Sequence, residues 1–367
     1  MSGEGNSKVR FSTVLKLAGA FCAFLLGSGY ATGQEIRLFF TSQGLFSFGA
    51  LTISMILFMW FGSTLIAKGY DTGLKATHSI FRIYCGKYVG FALEILIPVF
   101  LFSIVVIMVS GTGAALHQQF GLNPYVGRLL MGLVSMITVF FGLSRLVQVI
   151  GLIGPVIIVV SVTAGIFGIL HGTLDFGQAD AAAKALDLPK ADTNWAASGL
   201  LYTAFQVLGA APFFAGLGTQ AQNRKEAVWG GLMGGFMYIG AAAVMSTGML
   251  LNIDSLFDKE VPALAMAGVT APWMVHAFTV VLLLGIYSTA APVLWSVCNR
   301  IALDGTRRFK LVTVALGLGA IVGGLLPFGK LVGFIYPNMG VIGVAFMVLM
   351  LVGPFIQKKY GEMKGGS

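Results

Sequence analysis

Long apolar runs alternate with short polar turns along the whole chain. A run of about 20 apolar residues matches the hydrocarbon thickness of a bilayer. Ten such runs fall near residues 13–40, 46–68, 88–116, 124–143, 147–171, 195–218, 226–250, 270–299, 309–327 and 330–354. The basic stretch before the first run resembles the start of a signal peptide. That run is long, however, and many more follow, so a retained first helix is the better reading. Two runs are interrupted. "LGSGYATGQEIR", Leu26 to Arg37, places three glycines, a glutamine, a glutamate and an arginine inside the first. "QVLGAAPFFAGLG" interrupts the sixth near Gly209, where Pro212 lacks a backbone donor and glycines weaken the helix.

Composition agrees with a polytopic, all-α integral membrane protein. The 367 residues are 57% hydrophobic and only 10% charged, against about a quarter charged in a soluble chain. The net charge of +9 would suit a nucleic-acid partner, but its distribution points elsewhere. Bases including Lys8, Arg10, Lys16, Lys75, Arg82, Arg145, Arg307 and Arg308 fall on one side of the ten-span arrangement. The other side receives Arg37, Arg128, Lys184, Lys190, Lys259 and Lys330, with most loop acids. This is the positive-inside pattern, so both termini are expected in the cytoplasm and the charge is topological. Cys22, Cys85 and Cys298 have no paired or metal-like spacing and read as free thiols.

The spans also repeat. Centres of spans 1 and 6, 2 and 7, 3 and 8, 4 and 9, and 5 and 10 are all about 180 residues apart, and five is odd, so the second set enters inverted. The expected organisation is a single transmembrane domain with halves at about 11–172 and 194–355, joined by an outer loop at about 172–194. Matched interruptions in inverted halves point to the binding site of a secondary transporter.

This five-plus-five pattern with broken spans 1 and 6 resembles the LeuT-type fold of the amino acid–polyamine–organocation superfamily. Within it, "GSGYATGQEI" near the start and "YSTA" in span 8 are similar to the bacterial YkvI-like amino-acid permeases. The resemblance implies a multi-pass protein of the bacterial inner membrane that carries a small amino acid or related amine by alternating access. It implies that spans 1, 2, 6 and 7 rock against spans 3, 4, 8 and 9.

Broken membrane helices free backbone groups that must face protein, water or ligand. Around Ala31–Gly33, N–H groups would receive a substrate carboxylate, with Thr32 as a further donor. Carbonyls at Val207, Leu208 and Gly209 would accept an ammonium group. The inner half of span 1, near Gly27–Tyr30, offers carbonyls to a cation, and "GIYSTAAP" sets the hydroxyls of Ser288 and Thr289 side by side at mid-membrane. Such hard oxygen donors suit an alkali cation. The LeuT-type resemblance implies a sodium site from the carbonyls of Gly27, Tyr30 and Gly285 with those two hydroxyls. The competing reading is that both hydroxyls bond back to a carbonyl one turn earlier.

Glu35 is a functional candidate because a carboxylate inside a span is costly. It would meet a substrate cation, exchange a proton or join a gate, with Gln34 beside it. Arg37 is expected at the outer mouth as a gate. Ser103, Phe205, Gln206 and Tyr30 are further cavity candidates, and Phe213 a gate. Glu94 reads as the partner of an inner-surface base such as Lys87. The leading function is sodium-coupled symport, with proton coupling through Glu35 or a non-transporting ligand sensor as alternatives. No nucleophile paired with a base, no metal-spaced histidines and no phosphate loop suggest an enzyme or direct ATP drive. Oligomeric state is not readable from the chain.

Overall fold

The computed structural model describes residues 9–73, 80–141, 147–270 and 272–364; Lys8, Lys75 and Arg145 lie outside them. Every regular element among the described residues is helical. The first apolar run becomes three pieces: α1 (Phe11–Leu25), α2 (Ser28–Ala31) and α3 (Gln34–Phe39), followed by a 3-10 turn over Thr41–Phe46. Then come α4 (Ser47–Thr72), α5 (Ile80–Phe120), α6 (Pro124–Phe141), α7 (Val147–Leu170) and a short α8 (Phe176–Ala185). The second half contains α9 (Trp195–Gly218), α10 (Arg224–Leu250), α11 (Ile253–Leu256), α12 (Pro262–Thr270), α13 (Val275–Ile301), α14 (Arg307–Gly323) and α15 (Phe328–Lys364). Seven of these, α4 (with the turn before it), α5, α6, α9, α10, α13 and α15, are long and apolar enough to cross a bilayer. The chain is a multi-pass membrane protein.

The break between α2 and α3 has a local cause. Gly33 sits at φ +78°, the left-handed region where a Cβ is strained. A Cβ there would also strike the Met249 side chain and the backbone of Ala263. The segment between α1 and α2 unwinds over Leu26 and Gly27, then closes again as Ala31 N–H donates to Gly27 O at 3.0 Å.

The sixth run differs from expectation. α9 is one continuous helix through Gly209 and Pro212. Pro212 has no N–H, so the Leu208 carbonyl loses its intrahelical donor, yet a membrane helix tolerates this where neighbouring helices enclose it. Leu208, Ala210 and Ala211 are fully buried. The stretch 172–194 also departs from a plain loop. It contains α8, started by a capping box in which Asp175 accepts the Gln178 N–H and Gln178 accepts the Asp175 N–H.

Close approach of helices sets the core. α4 lies along both α9 and α10, and α10 also packs against α1. A Cβ at Gly69 would collide with the Ala215 backbone, and one at Gly218 with that of Ile66. These small residues let α4 and α9 touch backbone to backbone, where packing and not hydrophobicity drives association in lipid. Tyr30, Tyr202, Tyr238, Phe39, Phe40 and Phe58 fill the space between them.

Candidate functional site

A cavity of about 590 Å³ runs from Lys16 on α1 to Glu35 on α3. Its walls come from α1, α3, α5, α7, α9, α13 and α15, so helices from both ends of the sequence enclose it. Phe24 and Phe213 line it, stacked at 4.2 Å and 13°. The same two rings line a second cavity of about 390 Å³ bounded by Phe81, Ile97, Trp295 and Arg300. The stacked pair therefore stands between the two spaces.

Glu35 occupies the end of the cavity away from Lys16 and is 2% exposed. Its Oε1 accepts the Tyr202 hydroxyl at 3.1 Å and the Gln206 amide at 3.5 Å. Tyr202 and Tyr238 share a hydroxyl bond of 2.6 Å, and Gln206 Nε2 also donates to Tyr238 at 2.9 Å. The network thus joins α3, α9 and α10. Every one of these partners is neutral, so nothing offsets a full negative charge on Glu35 within this set. Phe205 and Tyr336, stacked at 4.6 Å, wall the cavity beside it with Phe100.

Of the residues expected in a substrate site, the cavity brings together Glu35, Phe205, Gln206 and Gly209. Gly27, Ser288 and Thr289, expected as cation ligands, share the same wall, as does Phe213. Several others lie elsewhere. Ser103 donates to Phe100 O at 2.7 Å within its own helix and is not on the wall. The wall face of α5 is carried by Phe100, Leu101, Ile104 and Met108, and helical geometry turns position 103 well away from it. Val207 and Leu208 face the packed side of α9, fully buried.

Tyr30, Ala31, Thr32, Gly33 and Gln34 sit behind Glu35, off the cavity wall. Their polar groups bond locally. Gly33 N–H donates to Tyr30 O at 2.9 Å, Gln34 N–H to Thr32 Oγ1 at 3.4 Å, and Thr32 Oγ1 to Gly29 O at 3.1 Å. The expected carboxylate cradle at Ala31–Gly33 is therefore closed, because the unwound backbone satisfies itself. The Tyr30 hydroxyl is buried without a protein partner, and the Tyr30 and Tyr238 ring centroids are 5.3 Å apart.

On α13, both hydroxyls return to one carbonyl: Ser288 Oγ donates to Gly285 O at 2.8 Å and Thr289 Oγ1 at 3.3 Å. The carbonyls of Gly27 and Tyr30 accept from Ala31 and Gly33. The expected ligand atoms thus bond one another or their own segments.

Arg37 is not at an open mouth. It is buried, and its guanidinium donates to Leu256 O at 2.9 Å, Phe257 O at 3.0 Å and Gln34 Oε1 at 2.8 Å. A fork of donors here satisfies carbonyls that the end of α11 leaves open. Glu94 pairs with Arg82 at 2.6 Å in place of Lys87, and its carbonyl accepts from Arg300. Among the described residues, no three His, Cys, Asp or Glu side chains gather as a metal site.

Tyr238 and Tyr336 were not anticipated. Tyr238 lies in the glycine-rich stretch "GGLMGGFMYIG", and the glycines that bring α10 against α1 and α4 are its signal. Tyr336 precedes Pro337 in "FIYPNMG", with no feature that marks it as a cavity residue.

No family model matches the chain. It is 24% identical over 342 residues to the "Uncharacterized protein YyaD" of Bacillus subtilis, covering 91% of this chain and 95% of that protein. It is 22% identical over 339 residues to the "Uncharacterized membrane protein YkvI" of the same organism, covering 92% and 94%. Among solved structures, the Eremococcus coleocola manganese transporter superposes with a TM-score of 0.59 at 15% identity, over 95% of this chain and 79% of that one. A Na+-coupled sialic acid symporter in its substrate-bound outward-open state gives 0.50 at 11%, over 94% and 96%. At these identities the likeness establishes a shared fold, the LeuT-type fold of membrane transporters.

Proposed function

We propose that the protein is a secondary active transporter of a small amino acid or related amine, working by alternating access across the bilayer. The observation that carries this reading is Glu35: a buried carboxylate with neutral partners, facing a cavity large enough for a small organic molecule. A cation arriving in the cavity completes the charge that the fold leaves open. The manganese of the fold relative suits this wall poorly, because one carboxylate among aromatic rings is a thin donor set for such an ion.

The ten-span, inverted-repeat organisation belongs to the same proposal. Contacts across the halves come in corresponding pairs, α4 on α9 with α10 on α1, and α5 on α15 with α13 on α7. With basic loops inward, Lys16 marks the cytoplasmic mouth, and Phe24 with Phe213 forms an inner gate. Coupling is to sodium, held by the Gly27, Tyr30 and Gly285 carbonyls and the Ser288 and Thr289 hydroxyls once these turn from their bonds to Gly285. Gly27 and the two hydroxyls on one wall favour this assignment. Proton coupling at Glu35 is the second reading, favoured by its burial among neutral donors.

Uptake into sealed proteoliposomes at fixed pH, with and without a sodium gradient, tests the pair. Sodium-driven accumulation lost in Ser288→Ala and Thr289→Ala supports the first. Uptake indifferent to sodium and abolished only in Glu35→Gln overturns it in favour of protons. Binding without accumulation would make the protein a sensor on a transporter fold.

A further inference from the structure

The geometry points to a narrower cargo for this cavity: a monocationic amine with an apolar body, in preference to an α-amino acid. Carriage of that amine across the bilayer rests on the transporter reading, whereas its binding rests on the cavity alone.

Two charged side chains line the cavity, Glu35 at the closed end and Lys16 at the other. Lys16 lies nine positions before Leu25 on α1, whose carbonyl accepts from Tyr238 of the Glu35 network, which puts the lysine about 13 Å along the helix from the Glu35 end. In an α-amino acid the ammonium and carboxylate groups share one carbon. If its ammonium meets Glu35, its carboxylate must lie next to Glu35 as well, far from Lys16 and against a like charge.

Most donors around Glu35 are already engaged, and none of those on the cavity wall there carries a charge. Gln206 donates to Glu35 and Tyr238, and Tyr202 to Glu35. Ser288 and Thr289 donate to Gly285 here, and in the sodium reading they turn to the cation and not to a carboxylate. Arg37, the nearest guanidinium in sequence, is turned into α11 and Gln34. The backbone N–H groups of Ala31, Gly33 and Gln34 have acceptors of their own. A carboxylate placed here would lose its water and gain at most a neutral hydroxyl such as that of Tyr336, with the like charge of Glu35 beside it, which is the costly way to bury an anion.

An ammonium group faces the opposite situation. It finds the Glu35 carboxylate and the rings of Phe205, Tyr336 and Phe100, whose electron-rich faces attract cations. Beyond them Leu101, Ile104 and Met108 offer an apolar wall to a carbon skeleton. Charge and apolar body thus have separate places, and a carboxylate beside Glu35 has no cationic partner.

The test uses purified full-length protein and two matched sets of probes: phenethylamine, phenylalanine and hydrocinnamate, then isoamylamine, leucine and isocaproate. Within each set the skeleton is held and the charged groups change. Titration calorimetry should show the amine binding at least about tenfold tighter than the amino acid, with no binding of the acid. Glu35→Gln should weaken the amine by about tenfold or more, and Glu35→Asp should keep the order of preference. A cooperative melt for each variant establishes that it folds. Phenylalanine or leucine binding as tightly as its amine would overturn the assignment. So would binding of either acid, an unmoved amine affinity in folded Glu35→Gln, or no binding by either amine. Proteoliposome uptake separates the two levels. Accumulation of amino acids with amines ignored sinks the amine assignment and leaves transport standing; amines bound but never accumulated do the reverse.

Discussion

Tyr202 donates its hydroxyl to Glu35 across 3.1 Å, linking α9 to α3 between residues 167 positions apart. The bond joins the unwound first segment to a helix from the other half of the chain, and Tyr238 extends it to α10 at 2.6 Å. Three helices therefore meet at a carboxylate in the wall of the main cavity.

Because Tyr202 and Tyr238 act in one network, their removal should not add. Tyr202→Phe and Tyr238→Phe each lose a buried hydroxyl bond, expected to cost about 1–2 kcal/mol of stability. The double variant should differ from the sum by about 0.5–3 kcal/mol, as residues sharing a network do. Thermal unfolding of the four proteins in one detergent measures this. Strict additivity would mean that the two hydroxyls act independently.

The backbone-to-backbone seam of α4 and α9 makes a second prediction. Gly218→Val pushes branched atoms into the Ile66 carbonyl and should destabilise by about 1–3 kcal/mol or more, since a packed core resists added volume. Gly240→Ala in α10 meets nothing within 4 Å and should be neutral or stabilising by up to about 1 kcal/mol. Equal melting temperatures for both variants would refute the seam.

How far the sequence carried depended on which signal was local. Seven helices among the described residues are long and apolar enough to cross a bilayer and follow expected runs, as at Trp195–Gly218, because a bilayer length is imposed residue by residue. The interruption of the first run was legible in its glycines, of which Gly33, at φ +78°, has an intrinsic backbone need. The break expected at Gly209 was a misreading of the same kind of signal. Pro212 removes one donor, and tightly packed neighbours, which no local pattern records, hold the helix together. Glu35 stood out by its charge, whereas Tyr238 and Tyr336 join its surroundings through tertiary packing. Ser103 failed for a rotational reason, since its helix presents Phe100 and Ile104 to the cavity instead. The short helix at Phe176–Ala185 was readable in the Asp175–Gln178 spacing, and the charges of that stretch concealed it.

Arg37 supports a third prediction. Its fork reaches two successive carbonyls, Leu256 and Phe257, and the Gln34 side chain. Lysine keeps the charge but presents a single ammonium centre without the planar fork. Arg37→Lys should therefore loosen the segment after α11, seen as roughly fivefold or faster amide exchange across 253–262, with α6 unchanged as the internal control. Unchanged exchange in that segment would show that the guanidinium is not what holds it.

The turn before α4 depends on an acid outside the spans. Asp180 accepts the Lys184 ammonium and the Leu45 backbone N–H at 2.9 Å, and Gly44 beside it adopts φ +62°. The lysine bond first, then the backbone bond, hold the Asp180 carboxyl below its ordinary value of 3.8. A depressed carboxyl stabilises the fold above its unfolded value, and that contribution disappears as pH falls through the folded one. The contribution is therefore complete at neutral pH and is lost below about pH 4. Asp180 is half-buried but its Lys184 partner is exposed, so solvent screens the pair and the effect should be small, on the order of 1–2 °C in melting temperature. Asp180→Asn should melt below the parent protein at pH 7, and the gap should close toward pH 3. A gap that is constant across this range would assign the loss to the hydrogen bond alone and remove the charge from the account.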